Sequence, residues 1–277
     1  GAAVNAACDE LDGVADGVLM DPLACHYDPG ELTCPAGEDR EDCLTPAQVT
    51  AVRKIWSGVR RDDGSLVFPG LVPGGEAAPG GWGLWVTGSK PFTALHWLGG
   101  EGFFRHFVFE DPDWDFRTFN FEGDLDYALE KVGHAVDADD PDLRRLRDRG
   151  GKLLVYHGLA DADISPRGSI NYYEAVIDEL AGSDRTEALS AVQDFFRLFL
   201  VPGLGHCRGG PGPDQLDALA ALEAWVEKGE APAQVMARKV EGGETVRSLP
   251  LCPYPARPVW DRKGDPMVAS SYQCQSD

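Results

Sequence analysis

Two short apolar runs in the second half of the chain constrain the fold more than any other feature. Residues 152–156 have the sequence KLLVY, residues 195–201 have the sequence FFRLFLV, and an amphipathic segment at 165–180 separates them. Continuous apolar runs of this length are typical of strands that are buried on both faces. Two such strands with a helix between them predict parallel pairing through a right-handed crossover.

A further helix is predicted after the second run, over residues 214–228. Asp214 is a suitable N-cap, and Gly229 and Pro232 follow the last apolar turn. Strand, helix, strand and helix in succession indicate an α/β fold. Two strands are fewer than such a sheet normally has, so we expect residues 151–277 to form the last part of a larger α/β domain.

The first 150 residues have a different texture. A helix is predicted after Thr45, which is a suitable N-cap, with Pro46 in its first turn and Gly58 at its end. From residue 68 to residue 121, glycine and large aromatic side chains dominate, and no long periodic element is evident. We therefore expect residues 1–150 to form a loop-rich cap that is packed by large side chains.

The net charge excludes two classes of partner. At pH 7 the formal charge is −21, which would repel both nucleic acid and an anionic membrane surface. In addition, no apolar run in the sequence approaches the roughly 20 residues that a membrane-spanning helix needs.

The cysteines indicate an oxidising compartment. Segments that cannot build a core of their own are commonly held by disulfides in secreted proteins. Zinc is the alternative, but the sequence has no C-x-x-C and no tight pair of His and Cys clusters, so we favour disulfides. The sequence alone does not fix the connectivity. Pairing between sequence neighbours would give Cys8–Cys25, Cys34–Cys43 and Cys252–Cys274, leaving Cys207 over.

Each predicted strand is followed by residues that can carry chemistry. Asp161 and Asp163 follow the first strand, and His206 follows the second. Open α/β sheets place their active sites at the carboxyl ends of the strands, and this order matches the last two members of a Ser–Asp–His triad. The alternatives are an ordinary loop histidine and an aspartate that caps the helix near Ser165. His157 is a weaker candidate for the base, because it lies at the strand end and precedes the acid.

A nucleophile is not evident in the sequence. None of the serines stands in a strand–G-x-S-x-G–helix elbow, which is the arrangement that exposes the nucleophile in α/β-hydrolases. The early strands of such a sheet are also not evident. We therefore expect the nucleophile to lie outside this chain.

A second candidate site lies near the start of the chain, in the sequence CDELDGVADGVLMDP. Asp9, Asp12 and Asp16 fall within eight residues, and Gly13 and Gly17 allow tight turns. Clustered carboxylates suit Ca²⁺, but the spacing is not that of an EF-hand. On composition alone, a solvated acidic turn is the favoured interpretation.

A series of segments resembles the tannase/feruloyl esterase family. They are CDELDGVADGVLMDPLACHYDP, CLTPAQVTAVRKIWSG, FPGLVPGGE, YHGLADADISP, VPGLGHCRGGPGPD and ALEAWVEKGEAP, and together they span nearly the whole chain. The resemblance implies a secreted serine esterase with an α/β-hydrolase domain and a large inserted lid. Its substrates would be small aromatic esters of the galloyl or hydroxycinnamoyl type.

The resemblance also implies roles for individual residues of the hydrolase part. Asp161 would be the triad acid, His206 the base, and Ile164 part of the pocket for the aromatic ring. Cys207 matches a cysteine that pairs with the cysteine immediately before the nucleophilic serine, so its partner is missing from this chain. In the lid, the candidates for substrate contact are Trp82, Trp85 and Phe92.

For the acidic loop, the resemblance implies a structural Ca²⁺ ion. The expected ligands are the side chains of Asp9, Asp12 and Asp16 and the backbone carbonyls of Val14 and Val18.

Together these observations predict the lid and the C-terminal portion of an α/β-hydrolase esterase that is secreted or periplasmic. The lid would occupy residues 1–150 and the hydrolase portion residues 151–277. We expect the chain to be inactive alone, because the nucleophile and its neighbouring cysteine would come from an N-terminal half or a companion chain. The alternative is a non-catalytic binding or structural protein that calcium and disulfides stabilise.

Overall fold

A computed structural model describes residues 1–182 and 184–276. Its helices are α1 Ala2–Cys8, α2 Pro46–Ser57, α3 Trp82–Trp85, α4 Leu95–Phe103, α5 Gly123–Ala128, α6 His134–Val136, α7 Arg144–Asp148, α8 Pro166–Leu180, α9 Arg185–Gln193 and α10 Ala218–Lys228. Its strands are β1 Val59–Arg60, β2 Leu66–Phe68, β3 Leu153–Gly158, β4 Phe196–Val201, β5 Gln215–Leu216, β6 Val235–Glu241, β7 Glu244–Leu251, β8 Arg257–Trp260 and β9 Tyr272–Gln275.

The two predicted strands form a parallel pair. β3 and β4 pair in register from Leu153 opposite Phe196 to Gly158 opposite Val201, and α8 and α9 connect them. The predicted α/β arrangement is therefore confirmed. Because the strands are parallel, their carboxyl ends lie side by side, which brings the two following loops to one edge of the sheet.

Strand β4 is the centre of the core, because its alternate residues face two hydrophobic clusters. Phe196 and Leu198 pack with side chains of α8 and α9, such as Tyr173 and Val192. On the opposite face the cluster consists of Phe199, Val201, Leu204, Val235, Ala237, Leu249, Leu251 and Tyr272. Burying a side chain of the Phe or Leu type stabilises a fold by about 1.5–3 kcal/mol. The strand that leads to the His206 loop is consequently among the best-anchored parts of the molecule.

The structure corrects the sequence prediction at four points in this half. The short helix α9 and the antiparallel sheet β5–β6–β7 were not predicted, and the tail forms a two-stranded pair, β8–β9. Helix α10 begins at Ala218, where the Asp217 side chain accepts a hydrogen bond from the Ala220 N–H, and not after Asp214. Asp214 instead accepts from the Gly209 N–H and pairs with Lys239 on β6, at 3.3 Å. Its carboxylate therefore holds the loop that carries His206.

In the first half, α2 is capped as predicted. The Thr45 hydroxyl accepts a hydrogen bond from the Gln48 N–H, and the Gln48 side chain accepts from the Thr45 N–H. The region predicted to be loop-rich contains more helix than expected: α3 to α6 and two π-helical segments lie between residues 82 and 136. The sequence did not predict these helices, because each helix is too short to show a hydrophobic period and the segment is rich in glycine and aromatic residues.

Three disulfides link cysteines that are neighbours in the sequence, which confirms the local pairing. They are Cys8–Cys25, Cys34–Cys43 and Cys252–Cys274. The first lies in a small core cluster with Val4 and Leu19, and the last joins the end of β7 to β9. Of the helices in the described parts of the chain, none is long and apolar enough to cross a membrane.

Candidate active site

The loops after β3 and β4 are held against each other by backbone hydrogen bonds. The Leu159 N–H donates to Val201, and the Ala160 N–H donates to Leu204. This close approach requires glycine at position 158, because a Cβ there would collide with the backbone oxygen of Leu204. The sequence at the end of β3 thus brings the Asp161 loop beside the loop that carries His206.

Asp161 lies at the centre of the site and is buried, with 5% of its surface exposed. One carboxylate oxygen, Oδ1, accepts the backbone N–H groups of Asp163 (2.9 Å) and Ile164 (3.0 Å). Burial is the largest single influence on its pKa and raises it. Hydrogen bonds from two imidazoles and these two N–H groups outweigh burial and hold the pKa of Asp161 below its ordinary value of 3.8. The residue is therefore a carboxylate at neutral pH.

His206 faces this carboxylate. Its Nδ1 lies 3.2 Å from Asp161 Oδ2, and because a carboxylate can only accept, Nδ1 carries the hydrogen in this contact. The ring of Trp85, on α3, packs edge-on against the imidazole with centroids 4.8 Å apart. The His206 side chain is 24% exposed, so the imidazole is packed on one side and accessible on another.

Two further polar side chains, Asp163 and His96, lie at this site. His96 was given no role in the sequence analysis. Asp163 Oδ2 lies 3.5 Å from His206 Nε2, and its Oδ1 lies 2.6 Å from Nε2 of His96. His96 belongs to α4, so this contact joins the cap to the edge of the sheet across 67 positions. The only signal in the sequence was a lone histidine within an aromatic segment, which is not specific.

His157 is close to the same acid. Its Nε2 lies 3.3 Å from Asp161 Oδ2 and 3.1 Å from the carbonyl of Ile164, while Nδ1 lies 2.7 Å from the Ser169 hydroxyl. One carboxylate oxygen therefore has an imidazole on each side.

The predicted substrate-contact residues fall into two groups. Trp85 and Ile164 lie at the site: Trp85 contacts His206, and Ile164, which is largely exposed, donates its N–H to Asp161. Trp82 is buried in a core cluster with Leu71 and Ala162. Phe92 belongs to an aromatic cluster of the cap with Trp97 and Phe116. Trp82 is thus a core residue, whereas Phe92 is 52% exposed, and the predicted contact of either with substrate stays a prediction.

Cys207 follows His206 directly in the sequence. It is exposed and unpaired, and its backbone adopts a left-handed conformation with φ of 62°.

The acidic loop does not bring its carboxylates to one point. The Asp9 carboxylate accepts the N–H of Gly17, Asp12 accepts that of Val14, and Asp16 accepts that of Val18. Across residues 1–182 and 184–276, no group of three or more His, Cys, Asp or Glu side chains is arranged to hold a metal ion.

A positive charge already lies beside the acidic loop. Asp16 forms a buried ion pair with Arg247 of β7, with Oδ2 and Nη2 2.8 Å apart. Burial, together with the nearby carboxylates of Asp16 and Asp9, raises the pKa of Asp12 above its ordinary value. The calcium ligands implied by the resemblance therefore stay a prediction, and the chemistry of the three carboxylates suits the ion.

Comparison with known proteins gives a consistent picture. The chain is 36% identical to an uncharacterized esterase of Xanthomonas campestris pv. campestris, over 99% of this chain and 53% of that protein. It is 33% identical to the mono(2-hydroxyethyl) terephthalate hydrolase of Piscinibacter sakaiensis, over 98% of this chain and 50% of that protein. The chain thus spans about half the length of the curated relatives it matches.

Comparison of the fold with solved structures also finds esterases. The crystal structure of feruloyl esterase B from Aspergillus oryzae superimposes with a TM-score of 0.85 at 29% identity, covering 98% of this chain and 55% of that one. A model of the family described as tannase and feruloyl esterase matches residues 1–275. The chain therefore belongs to the tannase and feruloyl esterase family.

Proposed function

We propose that the chain is the lid and C-terminal portion of a carboxylic-ester hydrolase that acts on small aromatic esters. The observation that carries the proposal is the 3.2 Å contact between His206 Nδ1 and Asp161 Oδ2, at the carboxyl ends of adjacent parallel strands. An acid and a histidine in this relation form the base of a nucleophilic triad. Membership of an esterase family favours this function over a purely structural or binding role.

The chemistry follows from the protonation states of the pair. His206 Nε2 would accept the proton of the nucleophile's hydroxyl as its oxygen attacks the ester carbonyl, and Asp161 would stabilise the imidazolium. The imidazolium would then give its proton to the departing alcohol, leaving an acyl-enzyme. In the second half of the reaction, water would lose a proton to His206 as it attacks the acyl group. His206 would then return that proton to the nucleophile's oxygen as the bond to the acyl group breaks and the acid leaves.

The nucleophile is proposed to come from outside these residues. Its hydroxyl would approach Nε2 on the side where Asp163 now lies at 3.5 Å, so Asp163 would have to yield that position. Cys207 supports the proposal, because its exposed thiol is next to the base and can form a disulfide with a cysteine beside the nucleophile. Trp85, which packs against His206, and Ile164, whose N–H donates to Asp161, would contact the aromatic acyl group. Three disulfides support secretion or a periplasmic location.

Ester hydrolysis tests this function directly. The chain alone and the product of the complete gene are assayed on methyl ferulate, methyl gallate and p-nitrophenyl acetate. We expect hydrolysis by the complete product only, and a loss on the order of 10⁴-fold in kcat for Asp161→Asn. Turnover by the chain alone would contradict an external nucleophile. Full activity of His206→Ala in the complete product would overturn the esterase assignment.

We further propose that the acidic loop binds a structural Ca²⁺ ion through the side chains of Asp9, Asp12 and Asp16 and the carbonyls of Val14 and Val18. The loop supplies several carboxylates within one half-buried turn, and a divalent cation would offset their repulsion.

Thermal unfolding with and without the ion tests the calcium proposal. An ion that binds only the folded chain raises its melting temperature. The melting temperature of the chelator-treated chain should rise when Ca²⁺ is added, and Asp12→Asn should abolish the rise. Equal melting temperatures in EDTA and in Ca²⁺ would refute the site.

A further inference from the structure

We propose that His157 is a positioning residue for the reacting pair, holding the Asp161 carboxylate so that Oδ2 faces His206 Nδ1. The inference rests on the proposed function of Asp161 and His206 and adds a second imidazole to the contacts of Asp161. His157 would act through Asp161 and would not touch substrate.

The location of His157 suits this role. It is the second-last residue of β3, and its side chain is only 12% exposed. The imidazole bridges α8, through Ser169, and the turn that carries Asp161 and Ile164. The ring therefore connects the strand, the following helix and the acid.

The neighbours of the ring determine where its proton lies. Nε2 faces the Ile164 carbonyl at 3.1 Å and Asp161 Oδ2 at 3.3 Å, and both groups can only accept a hydrogen bond. Nε2 must therefore carry hydrogen. Nδ1 lies 2.7 Å from the Ser169 hydroxyl, which is able to donate. With its hydrogen on Nε2, the ring donates to the Ile164 carbonyl beside Asp161 Oδ2 and leaves Nδ1 to face the Ser169 hydroxyl.

His206 needs the opposite tautomer, because its Nδ1 faces the same carboxylate oxygen. Asp161 Oδ2 thus lies 3.2 Å from Nδ1 of His206 and 3.3 Å from Nε2 of His157, while Oδ1 receives two backbone N–H groups. With both oxygens held, the carboxylate has no freedom to rotate. Without His157, only His206 itself would hold Oδ2 among the described contacts, so the base would lose a fixed partner.

Nuclear magnetic resonance of the chain tests the proton positions without any need for a nucleophile. In ¹⁵N-labelled protein near neutral pH, we expect His157 to carry its proton on Nε2 and His206 on Nδ1. The Nδ1–H signal of His206 should broaden or shift in His157→Ala and should be largely restored in His157→Gln, whose amide can donate to the same acceptors. Ser169→Ala, which removes the donor to Nδ1, should weaken the tautomer preference of His157. Replacement of the exposed His26 by Ala is the matched control and should change none of these signals.

The outcomes separate clearly. A proton on Nδ1 of His157, or an unchanged His206 signal in a folded His157→Ala variant, would overturn the proposal. If His157→Ala fails to fold, the proposal is still tested by the tautomers in the unmodified chain and by the variants His157→Gln and Ser169→Ala.

Kinetics of the complete gene product provide the second readout. His157→Ala should lower kcat by tens of fold with KM nearly unchanged and alter the acidic limb of the kcat/KM profile, and His157→Gln should recover most of the rate. A higher KM with an unchanged kcat would contradict a positioning role. Loss of ester hydrolysis in every form, with the tautomers as expected, would instead disprove the proposed function and leave the hydrogen-bond arrangement in place.

Discussion

At the scale of single residues, the site depends on one carboxylate. Asp161 is buried, yet four hydrogen-bond donors keep it ionised, and His206 takes its tautomer from it. Sequence analysis could identify these two residues, because parallel strands place their following loops together. It could not identify the contacts of His96 and His157, since those depend on where a cap helix and a hydroxyl of α8 come to lie.

Asp161 should also make the stability of the chain depend on pH. Its pKa in the folded chain is below the ordinary 3.8 of an unfolded chain. The stabilisation is therefore fully present above about pH 4 and is lost as the pH falls through the folded value. We expect Asp161→Asn to lose less unfolding free energy than the unmodified chain as the pH falls below about 4. Urea unfolding at several pH values measures this difference, and parallel curves for both proteins would refute it.

Gly158 is a second residue with a sharp expectation. A methyl group there would collide with the Leu204 carbonyl, and the backbone oxygen of Gly205 would lie 2.9 Å away. Gly158→Ala should therefore displace the His206 loop and cost about 1–3 kcal/mol in unfolding free energy. The control is Gly99→Ala in α4, where an added Cβ meets nothing within 4 Å. This substitution should raise the unfolding free energy by up to about 1 kcal/mol, because alanine favours a helix more than glycine does. Equal effects of the two substitutions would contradict the steric argument.

At the scale of elements, β3, β4, α2 and α8 follow from the sequence, whereas the β6–β7 hairpin was missed. Its turn carries Gly242 and Gly243, both with positive φ, between Glu241 and Glu244. A pair of glycines between two strands is a recognised hairpin signal, so the information was available in the sequence. The charged residues along both strands obscured it, because the alternation of apolar positions is weak there.

The β7 strand is tied to the acidic loop by the ion pair between Arg247 and Asp16. The two side chains are only 5% and 3% exposed, so removing one partner leaves a buried charge. In the presence of EDTA, Arg247→Ala should cost about 3–5 kcal/mol, measured by chemical denaturation. The double variant Asp16→Asn with Arg247→Met should cost less than Arg247→Ala alone. A double variant that costs the sum of both single changes would show that the two residues do not interact.

At the scale of the whole molecule, the sequence predicted the fold class and the family, but not how the cap meets the sheet. That meeting depends on side chains far apart in sequence: Trp85 of α3 packs on His206, and His96 of α4 contacts Asp163. Neither contact has a local pattern, because no periodicity or turn signal links positions so distant. The cap and the strand edge form the site jointly.

The disulfide arrangement gives a prediction for the molecule as a whole. Six of the seven cysteines are paired, and Cys207 remains as an exposed thiol. Titration of the folded chain with a thiol reagent should therefore give one reactive group, and Cys207→Ser should give none. After reduction and unfolding, the count should rise to seven. Two or more reactive groups in the folded chain would contradict the pairing.

The position of Cys207 also gives the molecule a ready-made spectroscopic handle. A single maleimide dye would attach one residue beyond the base, without any engineered cysteine and close to the indole of Trp85, which contacts that base. Quenching between dye and indole would then follow, in real time, any polypeptide that approaches Nε2 of His206. Because the dye occupies the sulfur that is proposed to pair with the cysteine beside the nucleophile, the signal would report the approach of that partner without the disulfide.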